Sequence, residues 1–257
     1  MSDGGTMSTV PIVTPIQREP ELLGQLVVVI GGSAGIGLET ARRARAEGAE
    51  VILTGRNPER LEHAAGELGA RSSAAFDAAD PERLARFFKD LPTPIDHVMV
   101  TAGRPYYTSL ADMDFAKAHR EVDEHLWLTL HVACEAAGKI RPGGTLLFMS
   151  GTDARRPRIG GPIVSALTAG LPALVANLAL ELGPVRVNLI CAGFVDTPLS
   201  ASLLGEQLDE RRDQLRATLP IGRVVGPAEV AALAVHLMSN TALTGATYDI
   251  DGGQQLV

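Results

Sequence analysis

From Leu22 onward, short apolar runs alternate with longer amphipathic segments. The strand-like runs are 26–30 (LVVVI), 51–54 (VILT), 95–100 (IDHVMV), 145–149 (TLLFM), 185–190 (VRVNLI) and 247–250 (TYDI). Most are apolar at consecutive positions, the pattern of parallel strands covered on both faces. Helical periodicity lies between them, near 36–47, 58–68, 81–89, 112–138, 162–182 and 227–239. Regular alternation of this kind predicts a single α/β domain, a Rossmann-type doubly wound parallel sheet of about seven strands with helices on both faces. Local punctuation agrees: Asp80 before Pro81 is a capping residue followed by a proline at the first helical position, and Gly48 and Gly69 stop the helices before them.

Residues 1–20 lack the basic start and continuous apolar stretch of a signal peptide and read as a flexible arm, with either Met1 or Met7 as the start; the domain is expected over 21–257. Residues 198–221, charged and helical in pattern, are inserted between the sixth strand and the last long helix and are expected to form a small lid. No uninterrupted apolar run of eighteen residues occurs, so no membrane span is expected.

Composition narrows the partners. A net charge of −7 and only 3 Tyr, 6 Phe and 1 Trp offer neither the basic surface nor the stacking platforms of nucleic-acid binding. Cys134 and Cys191 are far apart and lack metal-ligand spacing, so no metal site or disulfide is expected; both read as small buried hydrophobes in a reducing, cytoplasmic setting. The remaining partner class is a small-molecule substrate.

The strongest chemical signal is GGSAGIG at 31–37, directly after the first strand and directly before a helix. Gly31, Gly35 and Gly37 permit a tight turn, close approach to a pyrophosphate and close helix–strand packing, while the N–H groups of Ser33, Ala34 and Ile36 lie where the helix N-terminus meets the anion. The spacing G-x-x-x-G-x-G resembles that of the short-chain dehydrogenase/reductase family, with Ile30 in place of its usual threonine. The resemblance extends through VTAG (100–103), LALELGPVRVNLICAGFVDTPL (178–199) and TGATYDIDGGQ (244–254). It implies cofactor contacts from Asp77 to adenine, from Ala102 and Gly103, and from Gly193, Val195 and Thr197 to the nicotinamide carboxamide, and it implies a homodimer or homotetramer.

At the end of the second strand, where an NAD-selective site carries a carboxylate, this chain has Gly55 followed by Arg56. A guanidinium grips a 2′-phosphate that a carboxylate repels, so NADP(H) is expected over NAD(H).

The resemblance also implies an Asn–Ser–Tyr–Lys catalytic set, and none of it is retained. Val164 stands at the tyrosine, Thr168 at the lysine, and Gly151 at the serine between Ser150 and Thr152; His125 best matches the asparagine, with Asp123 as an alternative. Valine exchanges no proton. Three explanations stand: another group such as His125, Ser150, Thr152 or Asp153 supplies the chemistry; the substrate, for example an iminium, needs no proton; or the chain is a silent NADP(H)-binding subunit or regulator. Under the first two it is an oxidoreductase acting on a small carbonyl, imine or activated alkene. Thr168 is a candidate to keep one hydroxyl contact to the nicotinamide ribose.

Overall fold

The computed structural model describes residues 21–257; the expected arm, 1–20, lies outside the described residues. Seven parallel strands form one sheet: β1 (Leu26–Ile30), β2 (Glu50–Gly55), β3 (Ser72–Ala75), β4 (Ile95–Val100), β5 (Ile140–Gly151), β6 (Arg186–Ala192) and β7 (Thr247–Ile250). Their order is β3-β2-β1-β4-β5-β6-β7, so the winding reverses between β1 and β4. Ligands of open parallel sheets bind at such a reversal, beyond the carboxyl ends of the strands.

Each strand faces two cores, which explains its consecutive apolar residues. Val28 and Ile30 of β1 point to one layer, where they meet Leu84 and Phe88 of α3 (Pro81–Asp90), Leu128 and Val132 of α5 (Leu128–Ala136), and Leu171 and Val175 of α6 (Pro162–Glu181). Val27 and Val29 point the other way, to Ala41 and Ala44 of α1 (Gly35–Ala46), Leu61 of α2 (Pro58–Leu68), and Val230 and Ala234 of α9 (Pro227–Ser239). Each fully buried aliphatic side chain contributes about 1.5–3 kcal/mol.

The caps form as the sequence requires. The Asp80 carboxylate accepts from the N–H groups of Glu82 and Arg83, both at 3.1 Å, and Gly69 closes α2 in the left-handed conformation at φ 57°.

Four features differ from the sequence expectations. SSAA of β3, paired with β2 at the edge of the sheet among the described residues, carries no bulky residue and leaves no apolar signature. The expected helix 112–138 is three pieces: α4 (Phe115–Val122), capped by Asp114, then a π-helical turn at Asp123–Trp127, then α5. Cys134 is exposed, because α5 turns Val132, Ala133 and Ala136 toward the sheet and leaves Cys134 on the opposite side; Cys191, on central β6, is buried. Finally, α6 has a mean hydropathy of 1.9, enough by length and composition to cross a membrane, yet it packs along β5 and β6 within the helical layer.

Residues 198–221 fold into α7 (Pro198–Leu204), a 3-10 turn (Gly205–Gln207) and α8 (Leu208–Thr218). Leu199, Leu203 and Arg211 of this segment border the cavity described next.

Candidate active site

A cavity of about 1260 Å³ opens at the carboxyl ends of β1, β4, β5 and β6, at the reversal of strand order. One wall is the glycine loop. Gly31 has φ +97°, and a Cβ there would lie 2.7 Å from the Ala102 nitrogen and the Thr101 hydroxyl; a Cβ on Gly37 would run into the Gly31 carbonyl. The loop is thus drawn tight against β4. The Thr101 hydroxyl donates to the Gly31 carbonyl at 3.1 Å and ties the two together, a role that its sequence position did not announce. Gly35, at φ +55°, faces Thr197 across the cavity. Ala34, Ile36, Ala102 and Gly103 complete this wall. The cradle is what a pyrophosphate-bearing dinucleotide requires: backbone N–H groups at a helix N-terminus with no Cβ in the way.

Ser33, Arg56 and Asp77 are not part of that wall; they stand at the ends of β1, β2 and β3. The space beside Gly55 belongs to Ser33, since a Cβ on Gly55 would meet the Ser33 hydroxyl at 2.8 Å. Arg56 keeps 60% of its side chain exposed and approaches Glu124 at 3.4 Å. Glu124, which sequence reasoning missed, is the hub here: its carboxylate also accepts from Arg120 and from the Arg104 backbone N–H, each at 2.8 Å. Asp77 accepts from Arg120 and from the Ala79 N–H. Burial alone would raise the Asp77 carboxyl, but the Arg120 and Ala79 hydrogen bonds and the nearby guanidinium charges lower it overall.

The opposite wall is the segment after β6. Gly193, Val195 and Thr197 border the cavity. The Gly193 N–H bonds to Ile250 at 3.1 Å and the Phe194 N–H to the Gln254 side chain at 2.8 Å, so the chain end helps to shape the site. Gln254, Gln255 and Val257 were invisible as site residues because only the fold carries them there. The Thr197 hydroxyl accepts from the Ser200 N–H at 3.3 Å and caps α7, and the Val195 carbonyl accepts from the Ser200 hydroxyl.

His125, Ser150, Thr152 and Asp153 border the cavity along with Val164 and Thr168, whereas Asp123 is not among its lining residues, and His125, Asp153 and Thr168 have internal hydrogen-bond partners. The Thr168 hydroxyl donates to the Val164 carbonyl at 2.9 Å and accepts from the Ala154 N–H at 3.0 Å, securing the turn after β5. Asp153 is held by Arg158 at 3.1 Å and by the Tyr107 hydroxyl at 3.3 Å, while Arg158 stacks over the Tyr107 ring at 4.3 Å. Burial and the Asp153 charge push the Tyr107 phenol up to about 12. Ser150, next to the end of β5, lies beside Cys191 of the paired strand with its hydroxyl buried and without a partner among the described residues, and Thr152 is buried two residues further on.

His125 sits in the π turn, a distortion often found at functional positions. Its Nδ1 lies 2.9 Å from the Glu121 carbonyl, which only accepts, so Nδ1 carries the proton. Burial lowers its pKa, opposed by that hydrogen bond and the Glu124 charge. The neutral ring therefore presents a lone pair at Nε2, close to Gly103, and has no proton there to give. This departs from the reading of His125 as a proton donor.

A fold of this topology, with a glycine-cradled dinucleotide site at its switch point, is that of the short-chain dehydrogenase/reductases. The chain belongs to this superfamily: a family model described as enoyl-(acyl carrier protein) reductase matches residues 31–255. It is 31% identical to short-chain dehydrogenase/reductase ATR9 of Stachybotrys chlorohalonatus, over 91% of this chain and 98% of that one. The structure of MalC reductase/Diels-Alderase from Malbranchea aurantiaca superposes with a TM-score of 0.85 at 26% identity, covering 93% and 99% of the two chains. A small-chain dehydrogenase solved in complex with NADPH superposes with a TM-score of 0.79 at 25% identity, covering 91% and 100%.

Proposed function

We propose that this protein is an NADP(H)-dependent oxidoreductase that reduces, or in reverse oxidises, a small carbonyl, imine or activated alkene without the family's tyrosine and lysine. What supports this reading is a glycine cradle of the kind a dinucleotide requires, beside a cavity bordered by Val164 and Thr168, the residues that the resemblance sets at the tyrosine and the lysine. When bound, the nicotinamide supplies hydride. The chain's own part is to seat the phosphates on the 31–37 loop, to offer Arg56 to the 2′-phosphate, and to hold the nicotinamide between Ala102–Gly103 and Gly193–Thr197. Likeness to a protein described as a reductase, and to one solved with NADPH, supports reduction with NADPH.

The segment 198–221 serves as a lid in this reading, excluding water through Leu199 and Leu203. For assembly we propose a homodimer or homotetramer formed through α4, α5, α6 and the last strand. The exposed Phe115, Trp127 and Leu180 support it, Leu180 being 84% exposed; light scattering showing only a 27.0 kDa species would refute it.

The decisive experiment titrates NADPH and NADH by fluorescence and then screens turnover over matched ketones, iminium compounds and activated alkenes. NADPH is expected to bind more tightly and to be consumed with at least one class. Binding without any turnover selects the alternative, a catalytically silent NADP(H)-binding subunit or regulator, which the missing tyrosine and lysine favour.

A further inference from the structure

Reduction of a carbonyl needs a proton as well as a hydride, and most groups around the cavity have none to release. The Thr168 hydroxyl is spent on the Val164 carbonyl, and neither it nor Ser150 or Thr152 belongs to the side chains that act as general acids. Tyr107 donates to Asp153 and holds its proton up to about 12. His125 is neutral with its proton turned away, and both Asp153 oxygens are engaged by Arg158 and Tyr107. The guanidinium groups of Arg104, Arg156, Arg158 and Arg211 do not deprotonate, Lys117 pairs with Asp114 at 3.6 Å, and the Tyr106 hydroxyl accepts from the Asp114 N–H at 3.1 Å, which holds its oxygen at the cap of α4.

Glu121 is different. It lies on α4, which packs against the α6 helix that carries Val164, and it borders the cavity although only 2% exposed. Its Oε2 is buried and, like the Ser150 hydroxyl, has no hydrogen-bond partner among the described residues; unlike serine, a carboxyl is a general acid. Such an atom costs stability unless an arriving group meets it, and Glu121 is among the residues that line the cavity.

We propose that Glu121 is the proton donor of this enzyme, and that its substrate is accordingly a ketone or aldehyde rather than a preformed iminium cation. The proposal rests on the hydride-transfer reading above. In the step, the carboxyl O–H bond breaks as the alcohol O–H bond forms on the substrate oxygen. The carbonyl carbon takes two electrons and a hydrogen as hydride from the reduced nicotinamide dinucleotide, which is left oxidised, and the Glu121 carboxylate regains a proton from solvent.

The surroundings fit this role. Burial, reinforced by the negative charges of Asp153 across the cavity and of Glu124 on the same helical run, raises the Glu121 carboxyl to about 7; the nearby Tyr106 N–H offsets part of this. His119 and Lys117 precede Glu121 on the same helix, and Arg158 is occupied with Asp153. A general acid works best with its pKa near the operating pH.

The test compares Glu121→Gln with the unchanged protein, using NADPH and a matched ketone and iminium pair. Ketone turnover in the unchanged protein should fall above about pH 7, and the substitution should remove that limb. The ketone-to-iminium rate ratio should drop by roughly 100-fold or more, with NADPH affinity changed less than about threefold. Independently of turnover, carbon-13 NMR of the glutamate side chains in the unchanged NADPH complex should show one carboxyl titrating near 7. A ratio that the substitution leaves unchanged, a ketone limb that survives it, or a set of glutamates that all titrate near the ordinary value of about 4.3 would each overturn the proposal. Turnover of iminium compounds alone overturns it while leaving hydride transfer standing; loss of all turnover, with NADPH still bound, overturns both.

Discussion

Replacing Arg56 with alanine separates the two nicotinamide cofactors by an amount that the surrounding contacts allow to be worked out. Arg56 is 60% exposed and its guanidinium pairs with Glu124 at 3.4 Å. Glu124 stays satisfied without it, because Arg120 and the Arg104 N–H both bond to the carboxylate at 2.8 Å. The lost ion pair is exposed on the arginine side and long, so the substitution should cost at most about 1 kcal/mol of folding stability. A guanidinium–phosphate contact contributes about 1.5–3 kcal/mol, which corresponds to a roughly 10- to 150-fold weaker Kd for NADPH. NADH has no 2′-phosphate and should bind as before. Fluorescence titration of both nucleotides, at low and at moderate salt, checks this; the NADPH loss should shrink as salt screens the contact. Equal weakening of NADPH and NADH, or a change under threefold in both, would refute the assignment of Arg56 to the phosphate.

Other consequences follow from single contacts. Gly37→Ala, although alanine favours helices, pushes a Cβ into the Gly31 carbonyl and the Thr101 hydroxyl and should destabilise the fold by about 1–3 kcal/mol while weakening NADPH, read by thermal unfolding and titration. His97, buried on β4 with Nε2 2.6 Å from the Gln25 side-chain oxygen, has its pKa lowered to about 3, by burial first and by Arg141 and Arg186 next, against Asp96. Its neutral form therefore supports the fold above about 6.5, and that support, on the order of 5 kcal/mol, is lost as pH falls from about 6.5 toward 3. Glu121 acts in the opposite sense: with its folded pKa raised to about 7, its contribution is complete below the unfolded value of 4.5 and is lost as pH rises through 7, by about 3 kcal/mol. Urea unfolding of His97→Gln and Glu121→Gln against pH should isolate two slopes of opposite sign; parallel curves for the two variants would show that neither shift exists.

Much of this molecule is written in local pattern. Runs such as LVVVI announce strands covered on both faces, and the sheet places Val27 and Val28 in opposite cores for that reason. The loop 31–37 is legible because a phosphate-binding turn imposes glycines at fixed spacing, and the resemblance, anchored on LALEL at 178–182, sets Val164 and Thr168 at the family's tyrosine and lysine. What escaped were properties that exist only between distant segments. The β3 edge strand has no apolar signature, being held by its pairing with β2. The π turn at Asp123–Trp127 does not alter the helical periodicity, yet it carries the His125 whose Nδ1–H meets the Glu121 carbonyl. Glu121 itself reads along the chain as one more charge on an amphipathic helix. The packing of α4 against α6, with the Tyr106 N–H and Asp153 nearby, strips it of water and leaves Oε2 with no partner among the described residues. Local backbone preference and side-chain periodicity are properties of a few consecutive residues and survive in a sequence; desolvation and the choice of hydrogen-bond partner depend on which segments meet, and those only the tertiary structure decides.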